Sequence, residues 1–278
     1  MRTVLITGAS RGIGRATALR LANNGWHVIA GVRRESDGKT LADEAGGITP
    51  IQLDITSADD VAALNAALPH GLDAVVNNAG VAIGAPIEAV PLDELRRQLE
   101  INVIGQVAVT QAVLPRLRAA KGRVVFVSSL NGRVSQPLVG PYAASKFALE
   151  AIADALRMEV RPWGMRVSLI EPAQTDTDIW RTAEDTLNET LALLSPAHRT
   201  LYAKHTEGLR KAIPLAQKLA APADGVAAAI EKALTARRPK ARYVIGLGPK
   251  VQGSMLRFTP TPMMDATLSK LSGVPRKL

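Results

Sequence analysis

The chain begins with a short apolar run that leads directly into the glycine-rich stretch TGASRGIG, Thr7 to Gly14. Two kinds of site open in this way. As G-x-S-x-G, the stretch from Gly8 to Gly12 resembles a nucleophile elbow, with Ser10 as an acyl-transfer serine. As a turn between a strand and a helix, it is typical of a cradle for phosphate groups, because the free N–H groups at a helix N-terminus attract anions.

The position of the stretch favours the phosphate cradle. An elbow-type hydrolase takes an oxyanion donor from a strand-to-helix loop that precedes the nucleophile, and only one predicted strand precedes Ser10. In the cradle, Gly8 permits the turn, Gly12 lets the backbone approach a phosphate, and Gly14 lets the helix pack against the sheet. The spacing G-x-x-x-G-x-G departs from the usual G-x-G-x-x-G fingerprint.

Strand-like and helix-like segments alternate along the chain. This pattern predicts an α/β fold of the Rossmann type: a doubly wound, mostly parallel seven-stranded sheet with helices on both faces. The predicted strands are residues 3–7, 27–32, 49–53, 73–77, 123–128, 165–170 and 242–246, and the predicted helices are 13–24, 57–67, 92–119, 142–163 and 223–236. We expect one domain over 1–249, with a largely helical insertion over the ligand site at about 174–221, and a basic, partly helical extension over 250–278.

The composition excludes several kinds of chemistry. The 278 residues are 47% hydrophobic and include no cysteine, which rules out disulfides, thiolate nucleophiles and thiolate metal sites and favours a reducing, cytoplasmic location. The four histidines form no H-E-x-x-H pattern, so no metal is expected. No apolar run has the length of a signal peptide or a membrane span.

The net charge of +9 is concentrated in the tail. Residues 237–278 contain nine Lys or Arg and one acid, whereas the rest of the chain is nearly neutral, which does not favour a nucleic-acid partner. The tail also has apolar residues, namely Val251, Met255, Leu256, Phe258, Met263, Met264, Leu268 and Leu271. They predict contact either with an anionic membrane surface or, as we favour because Pro260, Pro262 and Gly273 interrupt the helix, with the protein or a second subunit.

Polar residues follow the predicted strands at the edge where open α/β sheets bind ligands. They are Asp54, Asn77-Asn78-Ala79-Gly80, Asn102, Ser128-Ser129, and Tyr142 with Lys146 in a Y-x-x-x-K spacing. In this order and spacing, the set resembles the short-chain dehydrogenase/reductase family. The resemblance extends from about Thr3 to Gly246, is to the non-extended type, and is closest in pattern to the retinol and hydroxysteroid dehydrogenases.

Carbonyl reduction needs a hydride, which no side chain supplies, and a proton. A free tyrosine has a pKa near ~10 and is a poor base at neutral pH, but a lysine one helical turn away favours its phenolate. The resemblance implies that Tyr142 is the acid/base and that Lys146 lowers its pKa and holds the nicotinamide ribose. It also implies that Ser129 binds the substrate oxygen and that Asn102 holds a water in a proton relay. Ser128 is the weaker candidate, because successive strand residues point to opposite faces.

The resemblance also implies a set of cofactor-binding residues. They are Gly8, Ser10, Arg11, Gly12, Ile13, Gly14, Arg33, Asp54, Ile55, Asn78, Ala79, Gly80, Tyr142, Lys146, Pro172, Thr175 and Thr177. Thr177 is expected to reach the carboxamide group of the nicotinamide. Ala173 stands where the family usually has glycine, which is a departure from the family pattern. NAD enzymes of the family usually place an acid at the end of the second strand, where this chain has Val32, followed by Arg33 and Arg34. Arginine there would bind a 2′-phosphate, and Ser10 and Arg11 could join it, so we expect NADP, with NAD as the alternative.

The leucines of the insertion, Leu187, Leu191, Leu193 and Leu194, favour a small apolar alcohol or carbonyl substrate. We therefore expect an NADP(H)-dependent oxidoreductase acting on CH–OH groups, as a homodimer or homotetramer. The alternatives are a non-catalytic dinucleotide-binding regulator, against which intact Ser129, Tyr142 and Lys146 argue, and a serine hydrolase at Ser10. An extended-type epimerase is disfavoured, because the chain lacks a larger C-terminal substrate domain.

Overall fold

The computed structural model describes residues 1–177, 181–218, 220–246 and 259–274. Seven parallel strands form one sheet, as the sequence predicts, and their order is β3-β2-β1-β4-β5-β6-β7. The strands are β1 (Thr3–Thr7), β2 (His27–Val32), β3 (Ile48–Gln52), β4 (Ala74–Asn77), β5 (Arg123–Val127), β6 (Arg166–Pro172) and β7 (Arg242–Ile245). The strand order reverses between β1 and β4, and ligands of such sheets bind at the carboxyl ends of the strands beside this point.

Helices cover both faces of the sheet. They are α1 (Gly12–Asn23), α2 (Glu35–Glu44), α3 (Ala58–Ala67), α4 (Leu92–Leu99), α5 (Gly105–Ala119), α6 (Gly140–Glu159), α7 (Ala183–Leu193), α8 (Pro196–Leu201), α9 (Ala203–Lys218), α10 (Ala223–Thr235) and α11 (Thr261–Leu271). Helix α2 was not predicted. The predicted single helix 92–119 is interrupted by a π-helical segment, Glu100–Ile104, and the predicted helix 142–163 ends earlier, in a 3₁₀ turn at Arg161–Trp163.

Alternation along the strands gives the sheet two apolar layers. Val4 and Ile6 face the layer that includes Ile230 of α10, whereas Leu5 faces the layer that includes Val113 of α5. All five of these side chains are fully buried. Burial on both faces explains why central strands such as β1 and β5 are mostly apolar, as is typical of parallel sheets.

Helices α7, α8 and α9 lie between β6 and α10, within the predicted insertion. A β-bridge joins Thr175 to Ala221, so the two ends of this segment lie side by side beyond β6. Leu187 and Leu194 are buried there. No helix within the described ranges is both long and apolar enough to cross a membrane.

The tail helix α11 leads into a close contact with α9. A Cβ atom on Gly208 would lie 2.7 Å from the carbonyl oxygen of Gly273, so the two backbones cross at glycines. Met264 and Leu268 are half-buried, while Leu271 remains 71% exposed. Met263 is also exposed. The remaining apolar tail residues singled out in the sequence, Val251, Met255, Leu256 and Phe258, lie outside the described residues.

Candidate active site

The glycine-rich turn packs against the loop that follows β4. Gly8 has φ +63°, and a Cβ atom there would lie 2.9 Å from Cα of Ala79. A Cβ atom on Gly14 would lie 2.5 Å from Nδ2 of Asn78, which donates hydrogen bonds to the carbonyl oxygens of Thr7 and Gly8 at 3.0 and 3.1 Å. These contacts leave no room for larger residues, so the two loops meet only because both positions are glycine.

The start of α1 has the features of an anion site. Its N-cap, Arg11, is extended and exposed and gives the helix no side-chain cap, and the first turn contains no acidic residue. The first N–H groups of the helix therefore keep their positive potential for a ligand. Ser10 is half-buried, and Ile13 packs on the core. The turn thus fits a dinucleotide phosphate.

Among the residues that the structure describes, no histidine is bonded to Ser10 as a catalytic base. His27 lies at the amino end of β2, on the opposite edge of the sheet from Ser10, and its ring lies 2.9 Å from Oγ1 of Thr49. Within the described part of the chain, no hydrogen bond joins Ser10 to a histidine. A serine hydrolase needs such a base, so the geometry does not favour the elbow interpretation.

Two arginines, Arg33 and Arg34, follow the end of β2 and differ in their side-chain contacts among the described residues. Arg34 donates to Asp37 at 3.1 Å, whereas Arg33 is exposed and has no hydrogen bond or ion pair with a described residue. Asp54, after β3, accepts from the N–H and hydroxyl of Thr56. These bonds, and to a lesser degree the charge of Arg33, hold the pKa of Asp54 below its ordinary value. The side chain of Ile55 is buried, and its carbonyl lies against Gly105.

The two asparagines after β4 have different surroundings. Asn77 is fully buried and donates to Thr110 at 2.9 Å, while Asn78 bonds to the glycine-rich turn. The backbone N–H groups of Asn78 and Ala79 both donate to Oγ1 of Thr7, at 3.0 Å. Asn78 and Ala79 are therefore fixed beside the cradle, and Asn77 belongs to the core.

Asn102 lies in the π-helical segment between α4 and α5 and is fully buried. Its Oδ1 accepts from the N–H of Val81 at 2.9 Å, and its Nδ2 donates to the carbonyl of Val81 and to Oγ of Ser145 at 2.9 and 3.0 Å. A Cβ atom on Gly80 would lie 3.2 Å from Oδ1 of Asn102. The side chain thus ties the loop after β4 to α6, and single-turn π segments are frequent at functional sites.

Ser129, Tyr142 and Lys146 come together at the carboxyl end of β5. Ser129 begins a 3₁₀ turn and accepts from the N–H of Asn131 at 3.2 Å. Burial raises the pKa of Tyr142 above its ordinary value, and a hydrogen bond with Ser129 acts in the opposite direction. Ser128, by contrast, is buried, and its hydroxyl has no partner among the described residues. The alternation along the strand therefore separates the two serines as expected.

Lys146 is 4% exposed, and its ammonium donates to the carbonyl oxygen of Val127 at 2.9 Å. The nitrogen lies 5.7 Å from the centre of the Tyr142 ring. Burial lowers the pKa of Lys146 to about 8, while the charge of Glu150 raises it. In the protein alone, burial rather than Lys146 dominates the pKa of Tyr142.

The segment after β6 completes the edge of the site. Pro172 pairs with Ile245, and Oγ1 of Thr175 donates to the carbonyl of Ala173 at 3.2 Å. Thr177 is nearly buried, and its side chain would lie 3.3 Å from a Cβ atom on Gly12, so it reaches the glycine-rich turn. Ala173 does not have a positive φ, so the backbone path here does not require glycine.

A group of charged side chains behind this site was not predicted from the sequence, and two of its carboxylates, Glu150 and Glu171, are buried. Glu171 is fully buried and accepts from Nη2 of Arg133 at 2.7 Å. Arg242 is shared by Glu150, Glu171 and Asp154, with N–O distances of 3.0, 3.2 and 2.6 Å. One signal was available: Glu171 is an acid that directly follows the apolar pair Leu169-Ile170 in a predicted strand, where a buried charge needs a partner.

Comparison with known proteins identifies the chain's relatives. The family model described as short chain dehydrogenase matches residues 2–188. The NADPH-dependent 3-dehydrocapnine reductase of Ornithobacterium rhinotracheale is 35% identical over 97% of both chains, and retinol dehydrogenase 5 of Mus musculus is 34% identical over 96% of this chain and 87% of its own.

A solved structure has the same fold along nearly the whole chain. It is a short-chain dehydrogenase from Streptomyces avermitilis, which is 27% identical and superimposes with a TM-score of 0.78 over 96% of this chain and 97% of its own. Sequence family, sheet order and structural likeness agree. The chain therefore belongs to the short-chain dehydrogenase/reductase family, as an oxidoreductase related to the retinol dehydrogenases.

Proposed function

We propose that the protein is an NADP(H)-dependent oxidoreductase that interconverts an apolar alcohol and its ketone or aldehyde, with Tyr142 as the acid/base. The observation that carries the proposal is the convergence of Ser129, Tyr142 and Lys146 at the same sheet edge as the glycine-rich turn. This arrangement offers a proton donor beside a dinucleotide cradle, which is what carbonyl reduction needs.

Two observations support NADP(H) over NAD(H). Arg33 presents a guanidinium with no partner among the described residues, at the end of β2 where the family binds the ribose. The relative from Ornithobacterium rhinotracheale is described as NADPH-dependent. A guanidinium favours a 2′-phosphate through paired, charge-assisted hydrogen bonds.

Bound NADPH supplies the hydride that adds to the carbonyl carbon. The Tyr142 hydroxyl donates its proton to the carbonyl oxygen, so that the C=O bond becomes an alcohol and Tyr142 becomes a phenolate. The Ser129 hydroxyl holds the same oxygen, and the positive charge of Lys146 stabilises the phenolate. Because burial raises the pKa of Tyr142, its proton is in place at neutral pH, which suits the reducing direction.

The loops beside Tyr142 favour an apolar substrate. A Cβ atom on Gly140 would lie 2.6 Å from Cδ1 of Ile87, and one on Gly84 would lie 3.2 Å from the carbonyl oxygen of Leu138. The loop after β4 therefore packs on the loop that leads into α6, and Ile83 and Leu138 are buried there. Such walls bind hydrocarbon groups better than charged ones.

Three further expectations from the sequence stay predictions. They are the homodimeric or homotetrameric state, the cytoplasmic location, and the division of the chain into one domain over 1–249 and an extension over 250–278. The absence of cysteine favours the location. The expected interruption of the tail helix was wrong, because Pro260 and Pro262 lie at the start of α11 and Gly273 lies after its end.

The test of the proposed function is Tyr142→Phe, which keeps the ring and removes the proton donor. Turnover is followed by nicotinamide absorbance, with NADPH and NADH, over a series of apolar ketones and aldehydes. We expect kcat to fall by at least ~10²-fold, the lower end of general acid–base contributions, while NADPH still binds. If the variant turns over at a rate close to that of the native enzyme, Tyr142 is not the acid/base.

A further inference from the structure

The buried charges behind the active site include a carboxylate placed next to the lysine. Glu150 follows Lys146 by four residues on α6, which puts both side chains on the same face of the helix. Lys146 is 4% and Glu150 is 7% exposed. Two opposite charges thus share one buried face, away from the water that would screen them.

The position of Glu150 is fixed from another strand. Its Oε2 accepts from Nε of Arg242 at 3.0 Å, whereas its Oε1 is buried and has no hydrogen-bond partner among the described residues. A Cβ atom on Gly132 would lie 2.8 Å from Oγ of Ser128 and 3.3 Å from Oε1 of Glu150. Arg242 therefore binds one oxygen, and the other lies under the turn that follows Ser129.

We propose that Glu150 is a positioning residue that keeps the Lys146 ammonium charged inside the protein, and that Arg242 and the Ser129 turn hold Glu150 in place for this. The inference rests on the proposed function, because it matters to catalysis only if Lys146 stabilises the Tyr142 phenolate. The effect of Glu150 on Lys146 has the required sign, since its negative charge opposes the fall in pKa that burial causes.

The other polar and charged groups near this pair have partners of their own. Tyr142 lies on the same helix, and the carbonyl oxygen of Val127 on β5 accepts a hydrogen bond from the Lys146 ammonium. Glu171 on β6 is paired with Arg133, and Asp154 on α6 is paired with Arg242 and with Arg157, at 3.0 Å from the latter. Of these carboxylates, Glu150 alone contributes to the pKa of Lys146.

The chain offers a matched control. Glu150→Gln and Asp154→Asn each remove one negative charge and one carboxylate partner of Arg242, but only Glu150 acts on Lys146. We expect Glu150→Gln to move the alkaline limb of the kcat/KM–pH profile for NADPH-dependent reduction to lower pH by about half a unit or more, because the ammonium then loses its proton sooner. Asp154→Asn leaves the limb in place, and Glu150→Asp, which keeps the charge, returns it toward the native position.

A second readout does not depend on turnover. The Lys146 signal is titrated by NMR in isotope-labelled protein, and Glu150→Gln is expected to lower its midpoint, while Asp154→Asn does not. If Glu150→Gln does not fold, the double variant Glu150→Gln/Arg242→Gln replaces it, since Glu171 and Asp154 then keep Arg133 and Arg157. The double variant is also expected to lower the midpoint.

An unmoved midpoint in the Glu150 variants, or equal shifts with Asp154→Asn, would overturn the inference. Absence of reduction by the native enzyme would instead defeat the proposed function, and the NMR titration would still decide the role of Glu150.

Discussion

At the scale of single residues, the guanidinium of Arg33 is the group that we expect to select NADPH over NADH. Arg33→Asp removes a phosphate partner and adds repulsion, so the NADPH/NADH ratio of kcat/KM should fall by about tenfold or more, as expected for a lost charged hydrogen bond. Arg34→Asp makes the same charge change one residue along the chain, at a side chain bound to Asp37, and should change the ratio much less.

Steady-state kinetics with both cofactors measures this ratio directly. If Arg33→Asp and Arg34→Asp lower it equally, the discrimination comes from general charge and not from a contact at Arg33. If neither lowers it, the 2′-phosphate is bound elsewhere, for example by Ser10 or Arg11.

The places of the site residues in the fold were predictable, whereas their roles stay predictions. Tyr142 and Lys146 stand one helical turn apart, and Asn78 follows a strand at the ligand-binding edge, but the choice of these residues came from the family's motifs. The hydrogen-bond partner of Lys146 was not predictable, since the carbonyl that accepts from its ammonium belongs to Val127, at the end of β5 and 19 residues away in the sequence.

At the scale of elements, Gly14 joins the first helix to the sheet. Gly14→Ala would place a methyl group 2.5 Å from Nδ2 of Asn78 and against the carbonyl of Gly8, so the turn must shift. We expect a loss of about 1–3 kcal/mol of stability, the usual cost of overpacking, and much weaker NADPH binding. Thermal unfolding and a fluorescence titration with NADPH measure the two effects.

Gly225→Ala is the control for this change. Gly225 lies in α10 with open space around it, so alanine there should be neutral or slightly stabilising and should leave NADPH binding unaltered. If Gly14→Ala also binds NADPH normally, the close packing of α1 on β1 is not needed for the cradle.

The strands were the most predictable elements, because burial on both faces makes them apolar runs that stand out from their surroundings. Helix α2 was missed since its sequence, ESDGKTLADE, is mostly polar and has only Gly38 and Leu41 buried. The π-helical segment at Asn102 could not be foreseen, because the hydrogen-bond partners of this side chain, Val81 and Ser145, lie 21 and 43 residues away in the sequence. Arg242 of β7 meets Glu150 and Asp154 of α6 only through the packing of the helix on the sheet, from positions 92 and 88 residues apart.

At the scale of the whole molecule, the tail is expected to pack on the protein and not on a membrane. Its helix ends where Gly273 crosses Gly208 of α9, so the tail already has a partner surface within the chain. Gly208→Val would push Gly273 away, because a Cβ atom there would lie 2.7 Å from its carbonyl oxygen. We expect a raised KM for the apolar substrate and an unchanged KM for NADPH.

Co-sedimentation with anionic vesicles at low and high salt checks the alternative. The native protein should stay in the supernatant under both conditions. Binding that is lost at high salt, and lost again on deleting residues 259–278, would show that the basic tail contacts membranes.

Direct hydride transfer, with Tyr142 as the proton donor, is the central claim about the molecule. In the decisive experiment, the enzyme receives an apolar ketone that it turns over and NADPH that carries deuterium at its transferable position. The alcohol product is analysed by mass spectrometry and NMR. We predict one deuterium on the carbinol carbon with the native enzyme, and at least ~10²-fold slower formation of the same product with Tyr142→Phe. An alcohol without deuterium, or equal rates for the two proteins, would contradict the claim.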